Sequence, residues 1–376
     1  MRRLLLFACA LAAGTLSAAD EFDTSVDRSD PNFVKASLLV IGPGNQFFGC
    51  AGHSSLRLEC PQFNLDNCFS IEHEPIADNL GRFVRGKLKS GMFAVPTKEF
   101  LKSYESEGRR AVQYPLTLPA DAKQRLWKIM DEQVARGTDL PYDYIRYCCV
   151  QSILQPILEA IKPYPIAFPK WSERYQMSRR EILAENLSWC PWTRLFLHLI
   201  AGTEVDRIVS PTKTVILSPD FVELFRQTKV MGRPLIEGEG EVLLPFEAPR
   251  ESPPVRPMHV AVLLLALAVA NWFLRWRWID WAFLGLQFVL GLLLVHLLCF
   301  SDLPASDWNW LIVPFNPLPL VFWRWRRWWG RWAAAGLAVW ALVMALASHQ
   351  LTDPAFVVLA LALAVGFVGL WYNRPR

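Results

Sequence analysis

The last third of this 376-residue chain is almost free of charge, and this split in polarity limits what the chain can fold into. Nearly all charged residues lie before about residue 255, so the mean hydropathy of +0.19 hides two different regions. Five apolar stretches follow, and four approach the length of about 20 residues that crosses the hydrocarbon core of a bilayer. They cover residues 258–274, 281–300, 309–323, 332–348 and 356–372. A C-terminal membrane domain with about five spans is therefore expected.

The links between these stretches predict the orientation of the membrane domain. Arginines follow the first, third and fifth stretches, whereas links 301–307 and 349–355 contain neither Lys nor Arg. Basic links favour the cytoplasmic side. The third stretch contains three prolines within 314–319, and the charge pattern is consistent only if this stretch also crosses. Five spans then place residues 20–255 outside the cytoplasm.

The N-terminus has the pattern of a secretory signal, which agrees with this orientation. Two arginines precede an apolar run, and a small-residue site ends at Ala19. An uncleaved anchor is the alternative. The expected divisions are a signal peptide at 1–19, an exported domain at 20–245, a linker at 246–256 and the membrane domain at 257–376. The whole Glu- and Pro-rich segment 238–256 is interpreted as linker.

The exported domain mixes two hydrophobic periodicities, which predicts an α+β fold with a small antiparallel sheet. Strand patterns cover residues 33–41, the run that starts at His53, 69–74 and 111–118. Helical spacing covers residues 96–106, 119–137, 148–161, 178–200 and 219–227. No internal repeat is evident.

A histidine on a predicted strand and a cysteine at the start of a predicted helix are the candidate reactive groups. A thiol at a helix N-terminus ionises more easily, because the helix dipole favours the thiolate. The Cys149 thiol and the His53 imidazole would form a nucleophile and its base. The formal charge of +4 gives no reason to expect a nucleic acid partner.

The cysteines of the exported part fit an oxidising compartment. They are Cys50, Cys60, Cys68, Cys148, Cys149 and Cys190. Cys60 and Cys68 flank a turn-like segment and could staple a hairpin. A free Cys149 leaves five others, so at least one more must be unpaired. The alternative, in which Cys149 is bridged, would make the chain a non-enzymatic membrane scaffold.

Several motifs together resemble the Lnb-type periplasmic domain family. They are Gly-His-Ser-Ser-Leu-Arg at 52–57, Phe-Val-Arg-Gly-Lys at 83–87, Glu-Gly-Arg at 107–109 and the run from Tyr142 to Cys149. The resemblance covers roughly residues 33–245. The chain departs from the family pattern at Cys148, where Asn is usual, so which of the two thiols reacts is open.

This resemblance implies a circularly permuted papain-like fold, akin to lecithin–retinol acyltransferase, and acyl-group chemistry through a cysteine thioester. Related proteins with a membrane tail are lipoprotein N-acyltransferases of the bacterial inner membrane, with the catalytic domain in the periplasm. The expected partners are a phospholipid acyl donor, a diacylated lipoprotein acceptor and the membrane. We expect neither a metal ion nor a cofactor. The alternative is a periplasmic cysteine hydrolase of cell-wall peptides or lipids.

Strand pairing predicts a third group that orients His53. If Cys60 and Cys68 face each other, His53 shares a sheet face with His73. His73 is therefore predicted as the third catalytic residue, and Glu72 takes its place if the hairpin carries a bulge.

Three further residues complete the candidate site. Arg57 and Arg109 are expected to contact phosphate or carboxylate head groups, and a surface salt bridge is the alternative for each. Asp143 is placed with them as a residue that positions or caps the helix of Cys149. In the tail, unwound backbone around residues 314–319 is a candidate groove for an acyl chain.

Overall fold

The computed structural model describes residues 27–46, 49–76, 78–138, 140–169, 176–247, 253–321, 350 and 352–372, together with 332, 335–337, 339, 340 and 342. The expected signal peptide at 1–19 lies outside these residues. The arginine-rich link after the third apolar stretch and most of the fourth stretch lie outside them as well.

Two antiparallel sheets form the N-terminal domain. Their strands are β1 (Lys35–Ile41), β2 (His53–Cys60), β3 (Leu65–His73), β4 (Lys89–Pro96), β5 (Ala111–Pro115), β6 (Leu140–Pro141), β7 (Ile166–Ala167), β8 (Lys229–Val230), β9 (Arg233–Pro234) and β10 (Glu241–Leu244). Seven of them form the central sheet, in the order β10-β5-β1-β2-β3-β4-β6, and β7, β8 and β9 form the second. The expected α+β class with an antiparallel sheet is confirmed.

Helices surround this sheet, and α4 packs directly on β2 and β3. They are α1 (Leu80–Val84), α2 (Thr97–Ser106), α3 (Ala120–Ala135), α4 (Cys149–Ile161), α5 (Arg179–Asn186), α6 (Pro191–Ile200), α7 (Pro211–Thr214) and α8 (Ser218–Gln227). On α4, Ile153 and Ile157 are fully buried in the same apolar cluster as Leu56 and Phe69 of the sheet. Burying each such side chain contributes about 1.5–3 kcal/mol, so this packing holds the N-terminus of α4 against β2.

The pairing of β2 with β3 differs from the expected pairing. Cys60 lies opposite Leu65, and Cys68 lies opposite Arg57. The chain turns through Pro61–Phe63 into Asn64, whose φ of 52° is left-handed. Because Cys60 and Cys68 do not face each other in this register, the predicted hairpin disulfide is wrong. The observed pairing is shifted from the expected one by an odd number of residues. The side chains of β3 that were expected on one face of the sheet therefore lie on the other face.

Two segments of four or more residues form strands that the sequence did not indicate. Residues 241–244, interpreted as part of a linker, form strand β10 at the sheet edge beside β5. Residues 89–96 form β4, which pairs with β3 along its length. Strand β4 begins with Lys89, Ser90 and Gly91, so its sequence does not show a clear alternation of apolar and polar residues.

The C-terminal region is helical, as the apolar stretches predict. Its helices are α9 (Pro257–Leu274), α10 (Arg277–Phe300), α11 (Leu318–Val321) and α12 (Pro354–Tyr372). Helices α9 and α10 are long and apolar enough to cross a membrane. Helix α12, of 19 apolar residues, packs along α9.

The third apolar stretch runs beside α10 without forming a long helix in its described part. The Gln287 side-chain amide donates to the Pro314 carbonyl at 3.0 Å. A helix rises 1.5 Å per residue, so Gln287 lies about 20 Å from the periplasmic end of α10. The stretch therefore reaches deep into the membrane region. A cavity of about 40 Å³ lies beside it, and the acyl-chain groove expected at residues 314–319 stays a prediction.

The links of the membrane domain bind the periplasmic domain through the backbone after α6. Gly202 N–H donates to the Ala305 carbonyl at 2.7 Å, and the Asn309 side chain donates to the Leu199 carbonyl at 2.7 Å. Arg194 on α6 forms an ion pair with Asp353 at 2.9 Å. Helix α6 is thus fixed to the membrane domain while its other side faces a cleft.

Candidate active site

A cleft of about 740 Å³ brings His53 and Cys149 together between the sheet and helices α4, α5 and α6. Its size lies in the range of small-molecule sites. One wall is apolar and is formed by Ile76, Leu80, Leu183, Leu187, Phe196, Leu197, Ile216 and Leu217. The polar part of the lining, called the polar wall below, includes Gln46, Glu72, Glu107 and Arg109.

Cys149 is the first residue of α4, as the sequence predicts. A turn precedes it, in which Asp143 Oδ1 accepts hydrogen bonds from the N–H groups of Ile145 at 2.8 Å and Arg146 at 3.0 Å. Asp143 is buried. It therefore holds the turn that delivers Cys149 to the cleft, and its role here is structural and not substrate contact.

The Cys149 thiol is free and is surrounded by backbone N–H groups. The N–H groups of Ser54 and Val150 donate to its sulfur, which lowers the pKa, but burial is the larger effect and raises the pKa of Cys149. Burial therefore opposes the easy ionisation that a helix N-terminus alone would favour. A base that accepts the thiol proton during the attack would offset this effect.

The neighbouring Cys148 is buried more deeply than Cys149. Its thiol donates to the Ile216 carbonyl at 3.7 Å, and burial raises its pKa to about 12. Cys149 is the more exposed of the two thiols. The structure therefore favours Cys149 as the reactive sulfur.

His53 begins β2 and is held by a chain of hydrogen bonds that reaches Glu72. The His53 Nε2 atom lies 2.7 Å from the Ser70 hydroxyl oxygen, and Ser70 donates its proton to Glu72 Oε1 at 2.9 Å. Because the single hydroxyl proton goes to Glu72, Ser70 must accept the proton on His53 Nε2. This fixes the tautomer, and Nδ1 is left with the lone pair that can accept a proton.

The pairing from which we predicted His73 as the third group is wrong. In the observed register, His53 falls opposite Glu72 when the pairing of Leu56 with Phe69 is continued. His73 lines the cleft, but its Nδ1 bonds to the Glu74 carbonyl at 2.8 Å and its ring packs on a tyrosine. The contacts of His53 thus favour Glu72, the alternative.

The environment of His53 keeps its imidazole neutral. Burial lowers its pKa to about 4, with further lowering by the charges of Arg109 and His73. The Tyr104 ring stacks against it, with 6.2 Å between ring centroids. At neutral pH the ring is therefore uncharged, with its single proton on Nε2, and it is held in one orientation.

Arg109 is the cationic group of the polar wall. Its Nε donates to the Gly42 carbonyl at 2.9 Å, its Nη1 pairs with Glu107 at 3.1 Å, and the guanidinium stacks on Tyr104. Only 5% of its surface is exposed, and its Nη2 has no hydrogen-bond partner among the described residues. A buried donor without a partner is costly, so an anionic group in the cleft would stabilise this arrangement.

Arg57 does not line the cleft. Its Nε and Nη2 each donate to the Asp66 carboxylate at 2.8 Å, and its Nη1 donates to Gln113 at 2.6 Å. The expected substrate contact is therefore wrong, because the guanidinium is used within the sheet. The salt-bridge alternative is the one that the structure shows.

Sequence reasoning missed Ser70 and Tyr104. Ser70 and Glu72 are two residues apart on β3, so their side chains lie on the same face of the sheet. The correct register would therefore have placed both beside His53. Tyr104 lies on α2, and its contact with His53 depends on how α2 packs over the sheet. No local sequence pattern indicates that packing.

Comparison with known protein families gives two matches. A family model described as the Lnb N-terminal periplasmic domain matches residues 21–176. A second, described as the Lnb transmembrane domain, matches residues 249–373. No curated protein and no solved structure matches the chain. The two matched domains follow each other in the same order as the α+β domain and the apolar helices, and the chain belongs to the Lnb-type family of lipoprotein-processing membrane proteins with a periplasmic N-terminal domain.

Proposed function

We propose that this protein transfers a fatty acyl chain from a phospholipid, through a thioester on Cys149, to the N-terminal amine of a diacylated lipoprotein. The observation that carries the proposal is the His53–Ser70–Glu72 chain in the same cleft as the Cys149 thiol. The histidine strand precedes the cysteine helix, which fits a circularly permuted papain-like domain. No metal ion or cofactor takes part in this scheme.

The first step forms the thioester. His53 Nδ1 takes the thiol proton as the Cys149 sulfur attacks the ester carbonyl of the phospholipid. The N–H of Cys149 at the start of α4 donates to the oxyanion. The tetrahedral intermediate then expels the lysophospholipid alkoxide, and His53 returns the proton to this leaving oxygen.

The second step consumes the thioester. The lipoprotein amine attacks the thioester carbonyl, and His53 accepts the proton that the amine loses. Cys149 leaves as a thiolate and recovers that proton, so an amide bond has formed and the enzyme is unchanged. Glu72, through Ser70, stabilises the imidazolium that exists between the two proton transfers.

The two walls of the cleft suit a phospholipid donor. The apolar wall includes Phe196 and Leu197 of α6, the helix that is fixed to the membrane domain. Arg109 lines the same cleft, and its positive charge would attract the phosphate. A cell-wall peptide would make little use of the apolar wall, which is why a lipid is the better-supported donor.

The test uses the full-length protein in mixed micelles with a phospholipid that carries an alkyne-tagged acyl chain. The native protein is expected to take up the tag, to release it with neutral hydroxylamine, and to pass it to an added diacylated lipopeptide as an amide. Cys149→Ala should lose the label completely. Cys148→Ala is the matched control, and it should keep the label.

Three results would contradict the proposal. Undiminished lipopeptide acylation by Cys149→Ala would exclude this sulfur as the nucleophile. Loss of the label only in Cys148→Ala would move the chemistry to the neighbouring residue. Release of tagged free fatty acid without any amide product, with and without lipopeptide, would identify the protein as a hydrolase.

A further inference from the structure

The thiols of Cys50 and Cys190, which are distant in the sequence, lie next to each other beside the cleft. Cys50 lies in the short helical turn Gly49–Ala51, just before His53, and Cys190 directly precedes α6. The thiols of Cys50 and Cys190 are in hydrogen-bonding contact with each other. Cys50 is 3% exposed and belongs to the apolar core, against which Cys190 packs.

Backbone hydrogen bonds fix the positions of both cysteines. Cys50 N–H donates to the Gln46 carbonyl at 3.1 Å, and Cys190 N–H donates to the Leu187 carbonyl at 3.2 Å. The residues beside Cys50 line the same cleft as Thr193, which lies one turn beyond Cys190 on α6. The contact between the thiols therefore follows from the packing of the loop against α6.

The other cysteines of the periplasmic domain have different surroundings. Cys60 lies opposite Leu65 on β3, and Cys68 contacts the Thr97 hydroxyl at 3.3 Å. Cys148 bonds to a backbone carbonyl, and the Cys149 sulfur lies in the cleft. Within the described part of the domain, Cys50 and Cys190 are thus the thiols from separate elements that contact each other.

We propose that Cys50 and Cys190 form a disulfide bond that joins the loop before His53 to the start of α6. The periplasmic location of the domain supplies an oxidising compartment. Two S–H bonds break and one S–S bond forms. The two electrons and two protons pass to the disulfide of a periplasmic thiol–disulfide oxidoreductase, which leaves as a dithiol.

A disulfide bond between Cys50 and Cys190 would connect β2, which carries His53, to the helix that Arg194 and Asp353 fix to the membrane domain. Its consequence is a cleft wall that keeps its position relative to the membrane domain, while Cys149 stays reduced.

The experiment maps the thiols of the full-length protein purified without reductant. Free thiols are alkylated with N-ethylmaleimide in denaturant, and a non-reducing digest is analysed by mass spectrometry. We expect a peptide that links Cys50 to Cys190 and an alkylated Cys149. Alkylation of both Cys50 and Cys190, or a link from either one to another cysteine, would overturn the proposal.

A stability measurement gives a second test. A phosphine reductant should lower the melting temperature of the native protein and leave that of the Cys50→Ser/Cys190→Ser double variant unchanged. Cys60→Ser is the control and should respond like the native protein. An equal response of the double variant, or no response of the native protein, would contradict the proposal. Because acyl labelling of Cys149 is a separate measurement, failure here leaves the proposed reaction untouched.

Discussion

Replacing Ser70 by alanine is the most direct test of how His53 is prepared for proton transfer. The Ser70 hydroxyl accepts the proton of His53 Nε2 and donates its own proton to Glu72. Without it, the Nε2–H group loses its acceptor and the imidazole is free to adopt the other tautomer. That tautomer carries a proton on Nδ1 and cannot accept one from Cys149 there.

The size of the effect follows from the hydrogen bonds that are lost. Leaving a buried donor unsatisfied costs about 1–3 kcal/mol. If this cost falls on the reactive state, it corresponds to a decrease of about 5-fold to about 150-fold in rate, at about 1.4 kcal/mol for each factor of ten. We expect Ser70→Ala to lower kcat/KM for acyl transfer within this range, and Cys149→Ala to abolish it.

The assay measures kcat/KM and, independently, the second-order rate of Cys149 alkylation by iodoacetamide. The alkylation needs no lipid, so it reports the activation of the thiol alone. Ser55→Ala is the matched control, because Ser55 is a buried hydroxyl on the adjacent strand that donates to the Phe69 carbonyl at 3.0 Å. Ser70→Ala rates within two-fold of native in both assays would refute the reasoning, as would an equal loss in Ser55→Ala.

Three further changes have expected outcomes. Gly202→Ala would place a methyl group on the Asp307 carbonyl, so it should lower the melting temperature and the activity together, whereas Gly81→Ala meets no atom within 4 Å and should do neither. Burial lowers the pKa of His198 to about 3 in the folded state, against 6.5 for the free group, so stability is lost as the pH falls below about 6.5; His198→Leu should flatten the dependence of melting temperature on pH. Arg109→Ala should weaken acyl-enzyme formation from phospholipid more than the alkylation rate, and equal losses in both would argue against a role in binding the phosphate.

Helices and strands that have one apolar face could be predicted from the sequence, because the apolar residues recur with a regular spacing. The start of α4 at Cys149 and the strand that begins at His53 depend on local periodicity, and both are found as expected. The charge split likewise predicted the membrane domain, because hydrophobic length and the positions of arginine are local properties. The two residues of the predicted reactive pair lie on these elements, which is why the sequence was sufficient to find them.

The partners of His53 depended on a feature that is not local. A turn through Pro61–Phe63 with Asn64 in the left-handed conformation sets the register of β2 and β3. The expected register assumed that Cys60 and Cys68 face each other across the hairpin. The observed register differs from it by an odd number of residues, which places Glu72 on the same face as His53. Arg57 was misassigned for a related reason, because its partner Asp66 comes from the adjacent strand.

The glycines of the family motifs also had roles that only the assembled domains reveal. Gly86 has a φ of +68°, and a Cβ atom there would lie 2.7 Å from the Leu303 backbone nitrogen. The neighbouring Arg85 carbonyl accepts a hydrogen bond from Asp302 N–H at 3.0 Å. This motif therefore binds a periplasmic link of the membrane domain, which the sequence of the exported domain alone cannot show.

The ionisation of Cys149 shows how two correct rules compete at one atom. A helix N-terminus favours a negative charge by about 0.3–1 kcal/mol, which is less than one pKa unit. Burial of a thiol can raise its pKa by several units, and the structure places Cys149 where burial is the larger effect. A thiol that is neutral at rest can react only if a base accepts its proton during the attack. The tautomer of His53 thus sets how readily the thiol can react, and the Ser70–Glu72 pair that fixes this tautomer acts on the rate through the base.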